Sequence, residues 1–208
     1  MYTSSAVVFC LAALAGLGSS APTSGVTITV TNSCSYDVQV NQLTNDQTSN
    51  GDGSVLASGS STDIQVASNW GGRIWARKEC TGSTDCNASA PASLAEFLLN
   101  GANGDDFYDI SLVDGYNVGM SISPNGMSGS GQSCGTPTCS NLPACPTDAQ
   151  VKDADGNVVG CESSCKDCDD SEYAAAVKAA CPEAYSYSTD DSTSMYSCKA
   201  TGYTVNLC

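Results

Sequence analysis

Residues 93–124 read SLAEFLLNGANGDDFYDISLVDGYNVGMSISP. The stretch divides into three strand-like runs, 94–100, 107–113 and 116–123, rich in aromatic, leucine and β-branched residues. Turn-forming segments 100–104 and Asp114-Gly115 separate them. Five carboxylates sit here: Glu96, Asp105, Asp106, Asp109 and Asp114. Glu96 and Asp109 sit inside the apolar runs and Asp114 directly ends the second, rather than lying in the linker between the first two. A carboxylate in a half-buried strand is costly unless it is paired or hydrogen-bonded. The concentration therefore predicts either an ion-paired scaffold or an acidic cleft. Alternation leaves the burial unresolved, because Asp109 is out of phase with Tyr108 and Ile110 whereas Glu96 is in phase with Leu94 and Leu98.

On the N-terminal side, Val26–Asn32 is VTITVTN, a strict apolar/polar alternation that predicts a half-buried antiparallel strand. Residues 36–43 alternate again, predicting a hairpin-like pair. Residues 44–62 read as loop with a short strand at 55–57, followed by strands at 63–67 and 73–80 around a Trp70-Gly71-Gly72 turn. On the C-terminal side, 124–133 is a Gly/Ser loop. From Cys134 to Cys181 cysteines are dense and the strand pattern fades. One helix is predicted at 171–181, SEYAAAVKAAC, with Asp169, Asp170 and Glu172 at its start and Pro182 just after it. Residues 184–208 return to strands, and no internal repeat is present.

The first 21 residues carry a short apolar run followed by small residues, the pattern of a secretory signal peptide cleaved near Ala21. That run is too short to span a bilayer. Of thirteen cysteines, Cys10 lies in the leader. The remaining twelve, an even number in an oxidising compartment, predict six disulfides. The absence of histidine excludes Ser-His-Asp and Cys-His catalysis and any histidine metal site. No metal or other cofactor is expected. A net charge of −15 disfavours nucleic acid and anionic membranes as partners. Asn87-Ala88-Ser89 is an N-glycosylation sequon. Cys165-Lys-Asp-Cys168 has redox spacing but no surrounding βαβ pattern, so a structural disulfide is the better reading. Asp153–Asn157 fails as a calcium loop, with Val158 and Ser164 where glycine and glutamate are required, and reads as a turn.

Several segments carry a resemblance to thaumatin-like proteins, the group that includes plant pathogenesis-related group-five proteins. They are the opening strand with Cys34 and Tyr36, the GRIWAR run at 72–77 followed by Cys80, and LAEF, FYDISLVDGYN and SISP within 93–124. The chain departs from the family between Thr81 and Ser93, where it is shorter, and it lacks four of the family's usual cysteines. The resemblance implies an all-β fold: a two-sheet antiparallel β-sandwich of about ten strands with a disulfide-rich loop subdomain carrying one short helix. Residues 22–208 would form one thaumatin-like domain, with the sandwich at 25–133 and 184–208 and the cysteine-rich part at 134–183. The implied disulfides are Cys34–Cys208, Cys134–Cys198, Cys139–Cys181, Cys145–Cys161, Cys165–Cys168 and Cys80–Cys86.

The resemblance also implies an acidic cleft lined by Arg73, Glu96, Asp109, Asp114 and either Asp190 or Asp191. Paired carboxyls with separated pKa values suit glycoside hydrolysis, one donating a proton and the other serving as base or nucleophile. Glu96 is the acid candidate and Asp109 or Asp114 the second group. Arg73 would hold one carboxylate ionised. Phe107, Tyr116, Tyr185 and Tyr187 are candidate rings for sugar stacking. The competing interpretation of the same acids is a structural network of ion pairs and hydrogen bonds. The implied function is binding of cell-wall β-1,3-glucan by a secreted monomer, with weak endo-β-1,3-glucanase activity as its catalytic extension. The alternatives are a non-enzymatic antifungal or defence protein and a structural secreted protein.

Overall fold

The computed structural model describes residues 25–47, 53–78 and 91–208. The leader, the Cys80–Cys86 pair and Asn87 lie outside them. The strands are β1 (Gly25–Asn32), β2 (Val38–Thr44), β3 (Ser54–Leu56), β4 (Ser61–Ala67), β5 (Gly71–Lys78), β6 (Leu94–Leu98) and β7 (Asp106–Ser111). They continue with β8 (Gly115–Tyr116), β9 (Met120–Pro124), β10 (Thr138–Cys139), β11 (Gln150–Lys152), β12 (Val158–Glu162), β13 (Tyr196–Cys198) and β14 (Gly202–Leu207). Two helices, α1 (Glu172–Ala180) and α2 (Asp191–Ser194), precede β13.

Among the described residues one sheet has the order β10-β9-β14-β1-β4 and a second the order β13-β7-β6-β5-β2-β3. Their inner faces form the core. Ile28, Val30, Ile122 and Val205 come from the first sheet, and Val38, Ile74, Tyr108 and Ile110 from the second. Tyr203 of β14 meets Phe97 and Tyr108 of the facing sheet, with ring centroids 5.3 and 5.1 Å apart. Its hydroxyl donates to Asp106 Oδ2 at 2.8 Å, while Asp106 Oδ1 accepts from Asn100 N at 2.8 Å. The buried Asp106 thus has partners for both oxygens.

Three local expectations are corrected. Val26–Asn32 and residues 36–43 form no hairpin: β1 belongs to the first sheet and β2 to the second. The chain crosses at Asn32, a buried side chain that donates to Tyr36 O and Leu56 O and accepts from Cys34 N. Those bonds give the corner's backbone its partners where no ladder continues. The run 116–123 is likewise two strands. Tyr116 pairs with Cys161 in a small β11-β12-β8 sheet, whereas Met120–Pro124 joins the first sandwich sheet. Finally, one contact in the sandwich is not antiparallel: β1 runs parallel to β14. A parallel pair needs a long crossover, and here nearly the whole chain supplies it.

Helix α1 is capped by Ser171, whose Oγ accepts from Ala174 N at 3.0 Å, and it buries Tyr173, Ala174 and Val177. Tyr173 donates to Leu112 O at 2.5 Å, docking the helix against the end of β7. Helix α2 and the irregular path before it replace part of the strand expected after residue 184. At the Asp114-Gly115 turn, Gly115 has φ +135°, and a Cβ there would lie 2.1 Å from Cys161 O, so only glycine fits.

Disulfides join Cys34 to Cys208, Cys134 to Cys198, Cys139 to Cys181, Cys145 to Cys161 and Cys165 to Cys168. Cys34–Cys208 ties the corner after β1 to the residue after β14, closing a separation of 174 residues. Replacing both cysteines by serine should lower unfolding stability by about 2–5 kcal/mol. Denaturant titration of the non-reduced variant checks this, and an unchanged midpoint would contradict it.

Candidate functional site

Strands β5, β6 and β7 lie side by side, and their two-residue period separates two sets of side chains. Ile74, Ala95, Phe97, Tyr108 and Ile110 face the core and are buried. The outward set includes Arg73, Glu96 and Asp109, which share one row: Arg73 pairs with Glu96 across β5–β6, and Glu96 with Asp109 across β6–β7. Directly opposite residues in an antiparallel pair have Cβ atoms about 4.5–5.5 Å apart. Glu96 is in phase with Leu94 and Leu98 because those leucines also lie on the outer face, while Ala95 and Phe97 supply the core contacts. This explains the alternation that the sequence left unresolved.

The residues after α1 build a wall beside this row. Tyr185 runs alongside the end of β7, its N donating to Ile110 O at 2.8 Å and its carbonyl accepting from Leu112 N at 2.9 Å. Its hydroxyl donates to Asp191 Oδ1 at 2.6 Å. The resulting hollow, about 370 Å³, is lined by Arg73, Glu96, Asp109, Asp114, Tyr185 and Asp191, among others. Sequence had left Asp190 and Asp191 as alternatives, and Asp191 is the one that lines the hollow. Asp190 is buried and points away, taking Lys178 Nζ at 2.7 Å and Ser186 N and Oγ at 3.2 and 3.1 Å. Lys178 also donates to Ser194 Oγ and to Pro182 O and Ala184 O, so it ties α1 to both ends of the wall.

Burial dominates the electrostatics of the floor. It pushes the Asp109 carboxyl well above the usual carboxylate range, and the neighbouring Glu96 and Asp191 charges push it further. Burial also raises Glu96, but the Arg73 charge and the Ser111 hydroxyl oppose that rise, with Asp114 adding to it. Two carboxyls this close do not both ionise readily. Of the pair, Asp109 is the one pushed well up, and Arg73 limits the rise at Glu96. Asp109 Oδ1 is buried without a hydrogen-bond partner. Asp114, on the half-exposed rim, pairs with Lys166.

The candidate rings divide between locations. Tyr185 lines the acidic hollow, and Phe107 lines an adjoining one of about 410 Å³ that shares Glu96, Asp109 and Met195 with it. Tyr116 lies elsewhere, buried against Tyr173 with its hydroxyl on Pro143 O at 3.1 Å. Tyr187 is absent from the linings of both hollows. Sequence reading missed Ser111, Lys178 and Met195. Ser111 was within reach, since it is in phase with Asp109 two residues away. Lys178 lies in the last turn of α1, and nothing in the sequence pointed to its partners.

The thaumatin family's sequence profile matches residues 32–208. Thaumatin-like protein 1 of Castanea sativa is 36% identical over 87% of this chain and 90% of its own length. Pathogenesis-related protein 5 of Arabidopsis thaliana is 35% identical, with 89% of this chain and 93% of its own length covered. A Prunus avium protein named glucan endo-1,3-beta-glucosidase is 34% identical over 88% of this chain and 90% of its own length.

Two outcomes follow from the charges. Asp109 holds its proton in the native state at pH values where the unfolded chain, titrating near 3.9, has lost it. Stability at this site therefore falls as pH rises from about 4 through the raised native value. Asp109→Asn removes that fall. Its melting temperature should exceed wild type at pH 7, by about 2–4 °C per kcal/mol gained, and the gap should close near pH 3. A variant less stable than wild type at pH 7 would contradict the assignment. Lys178→Met leaves Asp190 buried without its cation and should cost about 3–5 kcal/mol in denaturant unfolding. Adding Asp190→Asn should recover part of that loss.

Proposed function

Because this chain belongs to the thaumatin family, we propose that it is a secreted thaumatin-like protein that binds cell-wall β-1,3-glucan in the groove over β5–β7, with at most slow hydrolysis. The observation that carries this reading is the row Arg73–Glu96–Asp109 along the floor of the hollow. Asp109 lines that hollow, and a neutral carboxyl there can both donate to and accept from a glucan hydroxyl. Glu96 and Asp191 add acceptors and Arg73 a forked donor, which suits a neutral polyol. The name of the Prunus avium relative adds support for the same ligand class. The disulfides support an oxidising, extracellular location. Membrane attack is the weaker reading, since a charge of −15 is repelled by anionic surfaces.

Hydrolysis makes a further demand. A proton donor and a second carboxylate must flank the scissile bond, about 5–5.5 Å apart for retention or roughly 6.5–9.5 Å for inversion. Glu96 and Asp109 stand side by side on one floor, so a flanking pair must draw its other member from Asp191 on the wall or Asp114 on the rim. The neutral Asp109 is the better donor than Glu96, which reverses the roles expected from sequence. Asp191 is oriented by Tyr185, whereas Asp114 is engaged with Lys166. Binding needs only the floor and is the primary activity.

Pull-down on insoluble β-1,3-glucan and a reducing-sugar assay test both levels. Wild type should bind at acidic to neutral pH. Asp109→Asn should lose any hydrolysis while keeping much of the binding, because an amide retains the shape and hydrogen bonding but is no acid. Hydrolysis that survives Asp109→Asn but not Glu96→Gln would return the acid role to Glu96. Wild type that neither binds nor cleaves the glucan would end this reading.

A further inference from the structure

Leu98 and Phe107 form the next outward cross-strand pair beyond Glu96 and Asp109 on the same two strands. The step from the acidic pair to the apolar pair is two residues, about 6.6–6.8 Å. Leu98 is 49% exposed, a large apolar side chain left open to solvent beside a carboxyl pair. Phe107 is half-buried, and with Leu98, Met195 and Asn45 it lines the hollow of about 410 Å³. This hollow and the acidic one share Glu96, Asp109 and Met195, so they are two arms of one groove. Met195 follows α2 directly and stands where the arms meet, positioned by its backbone N on Asp191 O at 3.3 Å.

We propose that the apolar arm is a second sugar subsite, in which Phe107 and Leu98 take the C–H face of a glucosyl unit whose neighbour lies over Glu96 and Asp109. The proposal rests on the glucan-binding reading and adds direction and length to it: the chain runs along β6 and β7 across both arms. Chemistry favours a neutral sugar as the occupant. A pyranose presents an apolar face and a hydroxyl rim, matching an aromatic–aliphatic floor edged by Asn45. An anionic chain would be repelled by Glu96, Asp114 and Asp191 in the adjoining arm. A purely apolar ligand would have to leave the carboxyl floor beside it unsatisfied.

The test is calorimetric titration with β-1,3-linked gluco-oligosaccharides of two to six units, on wild type, Phe107→Ala and Leu98→Asn. Leu98→Asn guards against a folding defect in Phe107→Ala, since it alters only an exposed position, and thermal unfolding confirms that each variant is native. Wild-type affinity should rise with length until both arms are filled. Each variant should weaken the long oligosaccharides by roughly three- to tenfold, the size of one lost ring contact, while sparing the shortest. Wild-type affinity that does not depend on length, or variants that follow wild type at every length, would overturn the second subsite and leave the acidic groove standing as a binding site. Wild type that binds no oligosaccharide and no insoluble glucan would bring down both proposals, so the two failures are distinguishable.

Discussion

Strand register is the constraint on which the rest depends. In β6 and β7 the inward residues Ala95, Phe97, Tyr108 and Ile110 are all buried, and the outward residues Glu96, Leu98, Phe107, Asp109 and Ser111 are polar, acidic or at least partly exposed, with Leu94 packed against Trp75 in a separate small cluster. A slip of one residue in either strand would carry Glu96 or Asp109 into the core and expel Phe97 or Tyr108. The contacts of Phe97 and Tyr108 with Tyr203 hold the register from the far sheet. The same packing that builds the core thus aligns Arg73, Glu96 and Asp109 in one row, with no separate device required to gather them.

That alignment carries a cost which the surroundings only partly offset. Glu96 has Arg73 across the ladder and Ser111 nearby, whereas Asp109 is the more strongly affected by burial and has two acidic neighbours. A stability-driven design would not leave such a carboxyl with an unpartnered oxygen. Contrast Asp190, a few residues from the wall's tip. It is more deeply buried, yet it is met by a lysine, a backbone N–H and hydroxyls. Both acids lie within the same small region, and only the one inside the groove lacks compensation. The asymmetry sets the ion-paired Asp190 apart from Asp109, and it weakens the idea that the whole cluster is an ion-paired scaffold.

Much of the fold was legible because it depends on local signals. The VTITVTN alternation, the acidic start and Pro182 stop of the alanine-rich run and the Asp114-Gly115 turn each act within a few residues. The failures share a different cause. Neither the crossing of the chain from one sheet to the other at Asn32 nor the division of 116–123 between two sheets depends on the strand pattern itself. Both depend on distant partners, Leu56 for Asn32 and Cys161 for Tyr116. At the site, resemblance supplied Arg73, Glu96, Asp109 and Asp114, but Tyr116 shows the limit of choosing rings by proximity in sequence. It is two residues from Asp114, and the turn at Gly115 carries it into another sheet. Asp190 and Asp191 could not be told apart because their difference lies in Lys178 and Tyr185, one of them on a separate helix.

Under the glucan-binding proposal, the wall also explains why the groove suits holding a chain better than breaking one. The two carboxyls beside the floor differ in how they are fixed: Asp191, on the wall, by a phenol, and Asp114, on the rim, by a surface lysine pair of the kind worth little in water. The floor acids, by contrast, sit on a sheet whose backbone is locked by ladders on both sides. Floor contacts therefore have the precision that binding uses, whereas any reaction would need a floor acid and a wall acid held at a fixed separation. The wall is carried by the four-residue helix α2 and anchored from behind by Lys178. Beyond the two backbone hydrogen bonds that hold Tyr185 to the end of β7, the placing of Asp191 over the floor is set by one ion pair and a few side-chain hydrogen bonds. Catalytic geometry here depends on the less rigid of the two supports, which is the physical reason to expect affinity to be the stronger property and turnover the weaker.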